Sequence, residues 1–206
     1  VCLSHKVKVE PKPRFQTEQT DLFGNHVNYF ELLSSHELFR VTSEAIVAVT
    51  PADYSRRGRE PWEAACFGAL PSGLVRTQGS FFAFPTAMTT PVADMVDYAR
   101  ERFLPGRPLR EAGEDLCHRI HLALAMLRSL GLVAAYVSGY ILTHPPEGQE
   151  RLVGADASHA WFGVMDQNGE WLFLDPTNDQ WVRGDHILVA VGRDYGDVPP
   201  LKGICY

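Results

Sequence analysis

The chain has 206 residues, 45% of them hydrophobic and 21% charged, with a net charge of −6. That length suits one large or two small globular domains with a buried core. The Lys and Arg residues are scattered apart from Arg56-Arg57-Gly58-Arg59, which excludes the basic stripe of a nucleic-acid binder, and no apolar run approaches the roughly 18 residues of a membrane span.

The first 85 residues read as β-rich. Lys6 to Glu10 alternates and stops at Pro11, and Gly24-Asn25 sits between apolar residues as a hairpin turn. Val27 to Leu33 and Phe39 to Val49 predict two further strands, the second with a change of phase before Ile46. Tyr54 to Ser80 is rich in Gly, Arg, Pro and Ser and reads as a long connection with one short helix near Trp62 to Phe67.

Helical patterns follow. Thr90-Pro91-Val92 opens one, with Asp94 and Asp97 near its positive end, and it stops before Pro105-Gly106. A second covers Leu109 to Leu130, with Leu116, Ile120, Leu124 and Leu127 on one face and Gly131 at its end. Short strands complete the chain at Val133–Leu142, Ala157–Met165, Glu170–Leu174 and Ile187–Tyr195.

Cys2, Cys66, Cys117 and Cys205 are far apart and form no CxxC pair. Neither a zinc site nor a disulfide framework is expected, and reduced thiols in a cytoplasmic protein fit better. The start at Val1-Cys2 has no charged segment leading into an apolar one, so no signal peptide is expected.

The most informative stretch is Gly154 to Trp161 (GADASHAW) followed by Trp171 to Asn178 (WLFLDPTN). A three-residue loop Gln167-Asn168-Gly169, with glycine left-handed, pairs Asp166 with Glu170 and sets Trp161 opposite Asp175. His159 then shares a face with Asp175 as its diagonal neighbour, within reach of a long side chain. A two- or four-residue loop would put them on opposite faces. A histidine oriented by a carboxylate is two-thirds of a nucleophilic triad. The same residues admit a plainer reading, in which Asp175 caps the Asp-Pro-Thr-Asn turn and His159 is a core histidine on a backbone carbonyl.

GADASHAW, LDPTN (Leu174–Asn178), Gly192-Arg193-Asp194-Tyr195 with Asp197 to Gly203, Leu127 to Gly131 with Tyr136 to Tyr140, and Asp21 to Val27 together resemble the bacterial transglutaminase-like proteins, a superfamily whose members are described as cysteine proteases. The resemblance covers nearly the whole chain. It implies an α+β fold: an N-terminal β-sandwich-like domain, taken as residues 1–85, and a papain-like transglutaminase core of helices packed on an antiparallel sheet, residues 86–206. It also implies acyl transfer or amide hydrolysis through a Cys-His-Asp triad, with His159 and Asp175 as the catalytic histidine and aspartate. A protein or peptide substrate is implied, with no cofactor, metal, nucleic acid or membrane. The alternative is a catalytically inactive binding or scaffold module on the same fold. His118 and His121, three apart on a helix, could join His159 around a metal, but the family pattern accounts for them without one.

The nucleophile departs from the pattern. The family's cysteine segment, of the form G-V-C-Q-D-F-A-H, precedes the apolar run. Its closing histidine aligned on His121 puts the cysteine position on Leu116, with Cys117 one residue off, and one residue on a helix turns a side chain by about 100°. Asp115 to His121 (DLCHRIH) instead resembles an earlier family helix ending in R-I-H. A segment carrying the nucleophile is therefore expected to be absent near residues 120–122, with two helices joined into one pattern. Continuous helix through His121 would leave Cys117 as the candidate, or an inactive protein. Cys66, Cys2 and Cys205 read as structural or incidental thiols.

Overall fold

The computed structural model describes residues 1–116, 119–142 and 158–204. The chain divides into two compact units, Val1–Thr50 and Pro51–Tyr206.

The first unit contains β1 (Cys2–Glu10), β2 (Phe15–Thr20), β3 (His26–Glu31) and β4 (Arg40–Val47), paired antiparallel as β1–β4 and β2–β3. The turn between β2 and β3 is set by Asp21, whose carboxylate accepts the N–H groups of Phe23 and Asn25 at 2.8 Å, while Gly24 takes the left-handed conformation. The phase change expected before Ile46 has no counterpart in the pairing: β4 pairs regularly with β1 from Arg40 to Ile46, and the register shift between Cys2 and Ser4 lies on β1.

Residues 51–85, grouped by composition with the N-terminal strands, make their contacts in the second unit. Arg57 Nη1 donates to the Trp171 carbonyl at 2.9 Å, and isolated bridges join Pro61 to Pro108 and Cys66 to Leu132. The expected short helix is a 3-10 turn at Trp62–Ala65, and a further helix, α1 (Leu74–Ser80), follows Gly73. Its internal Gly79 and lack of an apolar period hide it from pattern reading; Gly79 is there because a Cβ would press on Leu70 and Val133 at 3.3 Å.

The second unit is built on one antiparallel sheet in the order β8-β7-β6-β5-β9, from β5 (Ala134–Ile141), β6 (Ser158–Met165), β7 (Trp171–Asp175), β8 (Gln180–Trp181) and β9 (His186–Gly192). Helices α2 (Ala93–Arg102), α3 (Leu109–Glu114) and α4 (Ile120–Ser129) pack beside it. Leu109, Ala112, Leu124, Leu127, Leu132, Phe162 and Leu172 are all at most 1% exposed and form the shared core. The fold is thus α+β, with helices on an antiparallel sheet.

The pattern over 109–130 is two helices rather than one. Asp115 caps α3, Leu116 lies outside it, and Arg119 is extended at the start of α4. From there α4 runs unbroken, the Ala123 N–H reaching the Arg119 carbonyl at 2.9 Å. The chain is helical across 120–122, and residues 115, 116 and 119 lie outside both helices. Spacing could not separate these cases, because Leu116 and Ile120 keep helical phase whether or not the turn between them is helical. Cys117 and His118 lie outside the described residues.

Arg128, on α4, is buried and ties three segments together. Its guanidinium donates to the carbonyls of Phe82 (3.1 Å), Ala134 (2.7 Å) and Arg193 (2.6 Å) and to Thr89 Oγ1 (2.8 Å). Burial pushes its pKa down to about 10, against the favourable field of Asp194. Asp194 in turn accepts from Thr86 Oγ1 and caps the Tyr195–Asp197 turn through the Gly196 N–H.

Candidate active site

The hairpin β6–β7 has the expected register. Met165 pairs with Trp171 and Phe162 with Leu174, and the loop closes with the Asp166 N–H on the Glu170 carbonyl at 2.9 Å. Asp166, fully buried, accepts the N–H groups of Asn168 and Glu170 at 2.9 Å, and Gly169 is left-handed. Sequence-local chemistry therefore fixes the loop at three residues, and the loop fixes which face His159 and Asp175 share.

The two side chains meet. His159 Nε2 lies 2.8 Å from Asp175 Oδ2, with the His159 side chain 19% exposed and the Asp175 side chain fully buried. The turn-capping reading holds as well, because the carboxylate divides its work. Oδ1 accepts the N–H groups of Thr177 (3.0 Å) and Asn178 (3.3 Å), and Oδ2 accepts from His159 and from Asn178 Nδ2 (2.6 Å). Burial works to raise the Asp175 pKa, but the hydrogen bonds from Asn178, His159 and His186 outweigh it and hold the carboxyl below its ordinary range. An ionised Asp175 can only accept, so His159 donates from Nε2, and Nδ1 is the nitrogen left to exchange a proton.

A residue without a sequence signal completes the group. His186, at the start of β9 and with its side chain fully buried, points Nε2 at the same Asp175 Oδ2 (3.2 Å) and Nδ1 at Asp185 Oδ1 (2.7 Å). β9 pairs with β5, on the far side of β6 from β7, so no hairpin arithmetic links His186 to Asp175. Trp161 packs edge-on to the His186 ring (centroids 5.1 Å apart, 89°) and tilted against that of His159 (6.2 Å, 31°). Gly139, paired with His159 across β5–β6, makes room for the indole: a Cβ there would lie 2.5 Å from Trp161 Cη2 and 2.1 Å from the Ile187 carbonyl oxygen.

A cavity of about 320 Å³ opens beside Asp175, lined among others by Leu116, Glu114, Phe162, Leu174 and Trp181. Leu116 lies between α3 and α4 in the chain. At the opposite end of α4, Cys66 Sγ faces the Leu130 carbonyl at 3.4 Å, and burial, then Glu63, pushes its pKa up. A thiol at the negative end of a helix is poorly disposed to ionise. Cys2 is exposed in the first unit, and Cys205 lies outside the described residues.

His159, Asp175 and His186 offer three ligand atoms within 4.8 Å of one another, a set a divalent ion could use. Here both Nε2 atoms and the Asn178 amide converge on Oδ2 itself, so hydrogen bonding already accounts for each. His121, considered from its spacing as a ligand, stacks on Tyr136 (5.2 Å) and accepts the Tyr195 N–H through Nε2 (3.4 Å). Burial holds its pKa below that of an ordinary imidazole, consistent with an acceptor.

Residues 1–48 match the bacterial transglutaminase-like N-terminal region, and residues 92–176 the transglutaminase-like superfamily. An uncharacterized protein of Mycobacterium tuberculosis is 38% identical over 245 residues, covering 100% of this chain and 77% of its own length. The chain belongs to the transglutaminase-like superfamily. An uncharacterized protein of Mycobacterium leprae is 33% identical over 218 residues, 89% of this chain and 74% of the relative. A crystal structure of a "Putative Cysteine Protease from Cytophaga hutchinsonii" shares the fold at a TM-score of 0.61 and 16% identity, over 97% of this chain and 73% of that one. The 245-residue match to the tuberculosis relative is longer than the 206 residues of this transglutaminase-like chain, so that relative carries residues inside the matched span that have no counterpart here. Among the described residues, no helix is long and apolar enough to cross a membrane.

Proposed function

We propose that the protein carries out thiol-dependent acyl transfer or amide hydrolysis on a protein or peptide substrate, with His159 and Asp175 as the base–orienter pair of a Cys-His-Asp triad. The observation that carries this reading is the 2.8 Å contact from the part-exposed His159 to the fully buried Asp175. In the reaction a cysteine sulfur attacks the amide carbonyl carbon as its proton passes to His159 Nδ1. The C–N bond then breaks, and His159 returns that proton to the departing amine. Water or a second amine displaces the sulfur from the thioester, giving hydrolysis or transamidation. Asp175 holds the tautomer and stabilises the imidazolium throughout.

Cys117 is the thiol this chain offers. It precedes α4 in the sequence, as the family's cysteine segment precedes its apolar run. The second reading, a silent binding module, draws support from the stretch that the tuberculosis relative has and this chain lacks. The test is iodoacetamide labelling at neutral pH, read by peptide mass spectrometry, beside turnover of fluorogenic amides with and without an added amine. We expect Cys117 to react fastest, and both Cys117→Ala and His159→Ala to lose turnover while keeping the fold. Turnover unchanged in His159→Ala overturns the catalytic reading. A Cys117 that labels no faster than Cys2, with no turnover, leaves the binding module.

A further inference from the structure

We propose that His186 is a positioning residue for His159, acting through Asp175. The inference rests on the reading of His159 and Asp175 as a catalytic pair.

Asp175 stands at the end of β7, and most of its partners follow it directly in the chain. The N–H groups of Thr177 and Asn178 and the Asn178 amide all belong to the turn it opens. Those bonds fix the carboxylate relative to the turn and would tilt with it. His186 supplies a bond from outside, from β9 across the sheet, to the very oxygen that His159 uses. Asp185 steadies His186 from behind through Nδ1 at 2.7 Å, and Trp161 closes against the ring. The four groups make a continuous chain, His159–Asp175–His186–Asp185. A fully buried ring anchored on both sides, beside the orienting carboxylate, sets the direction of that carboxylate at His159, and such second partners govern how firmly a functional histidine is held.

The experiment uses the full chain labelled with ¹⁵N-histidine. The His159 Nε2–H resonance is assigned by its loss in His159→Ala. His186→Phe keeps a ring but no donor, and His186→Gln keeps an N–H near the Nε2 position. In His186→Phe we expect the His159 Nε2–H to exchange with water at least about tenfold faster, and kcat to fall about tenfold with KM changed less than about threefold, a fraction of what general acid–base catalysis contributes. His186→Gln should recover most of both losses, which a merely space-filling ring would not predict. A His159 resonance and kcat unchanged in His186→Phe overturn the proposal. If that variant does not fold, Asp185→Asn, at a side chain 44% exposed, carries the test: faster exchange at His159 supports the role and unaltered exchange overturns it. Turnover surviving in His159→Ala would sink the catalytic reading instead, while the exchange measurement still decides whether His186 positions His159.

Discussion

Asn178 donates its side-chain N–H to Asp175 Oδ2 at 2.6 Å, the oxygen that also receives His159. It is the foremost of the hydrogen bonds holding the Asp175 carboxyl below its ordinary range against the cost of burial. A carboxylate with a depressed folded pKa stabilises the fold fully above its unfolded value, about 3.9, and that contribution is lost as pH falls through the folded value. Asn178→Ala removes the bond, so the folded value moves back up. The variant should be about 1.5–3 kcal/mol less stable at neutral pH, the scale of a hydrogen bond to a charged group. The deficit should shrink below pH 4 as both states take up the proton. Urea unfolding between pH 2.5 and 7 checks this; a deficit constant across that range would count against a carboxylate held ionised by Asn178.

Gly139 is the second test of how the site is held. An added Cβ would sit within 2.5 Å of Trp161 Cη2 and 2.1 Å of the Ile187 carbonyl oxygen, and both belong to rigid strands. Gly139→Ala should therefore cost about 1–3 kcal/mol, the usual range for overpacking a tight core. It should also alter the near-ultraviolet circular dichroism of the Trp161 environment. Wild-type stability with an unchanged tryptophan signal would show that the β5–β9 edge yields easily.

Much of this site was legible because its central pair is local. A period of two along each strand, a left-handed glycine at 169 and an aspartate at 166 determine the hairpin register, and the register brings His159 to Asp175. His186 was not legible: its strand reaches the site by pairing with β5, and nothing in residues 186–192 names that partner. The two-residue β8 is too short for any period. α3 and α4 merged into one pattern because Leu116, which lies outside α3, stays in helical phase with Ile120. Tyr54 to Ser80 reads as a connection within residues 1–85 from its Gly, Arg, Pro and Ser content, whereas tertiary pairings such as Cys66 with Leu132 and Pro61 with Pro108 assign it to the second unit.

Cys66 provides an internal standard for thiol reactivity. It is half-buried at the C-terminal end of α4, its Sγ directed at the Leu130 carbonyl, and burial and Glu63 both raise its pKa. Only the thiolate alkylates, so Cys66 should react with iodoacetamide at neutral pH at least about tenfold more slowly than a free cysteine with a pKa near 8.5. Quantified peptide labelling over time gives the rate. Labelling of Cys66 as fast as the exposed Cys2 would remove the argument that the far end of α4 is chemically inert.

Arg128 joins the motifs at 127–131 and 192–195, and its replacement should unfasten them together. Its guanidinium reaches the carbonyls of Phe82, Ala134 and Arg193 and the Thr89 hydroxyl from one planar group. A lysine ammonium is a single point with three donors and cannot match that fork. Arg128→Lys should leave at least one buried carbonyl unpaired, costing about 1–3 kcal/mol. Arg128→Met also removes the charge that faces Asp194, and breaking a buried network of this kind costs more, about 3–5 kcal/mol. The loss should appear in amide exchange first at residues 193–198, because that turn is held by Asp194 and by the Arg193 carbonyl bond rather than by strand pairing. Equal exchange rates over 193–198 in Arg128→Lys and wild type would mean that the Tyr195–Asp197 turn does not depend on the Arg128 fork.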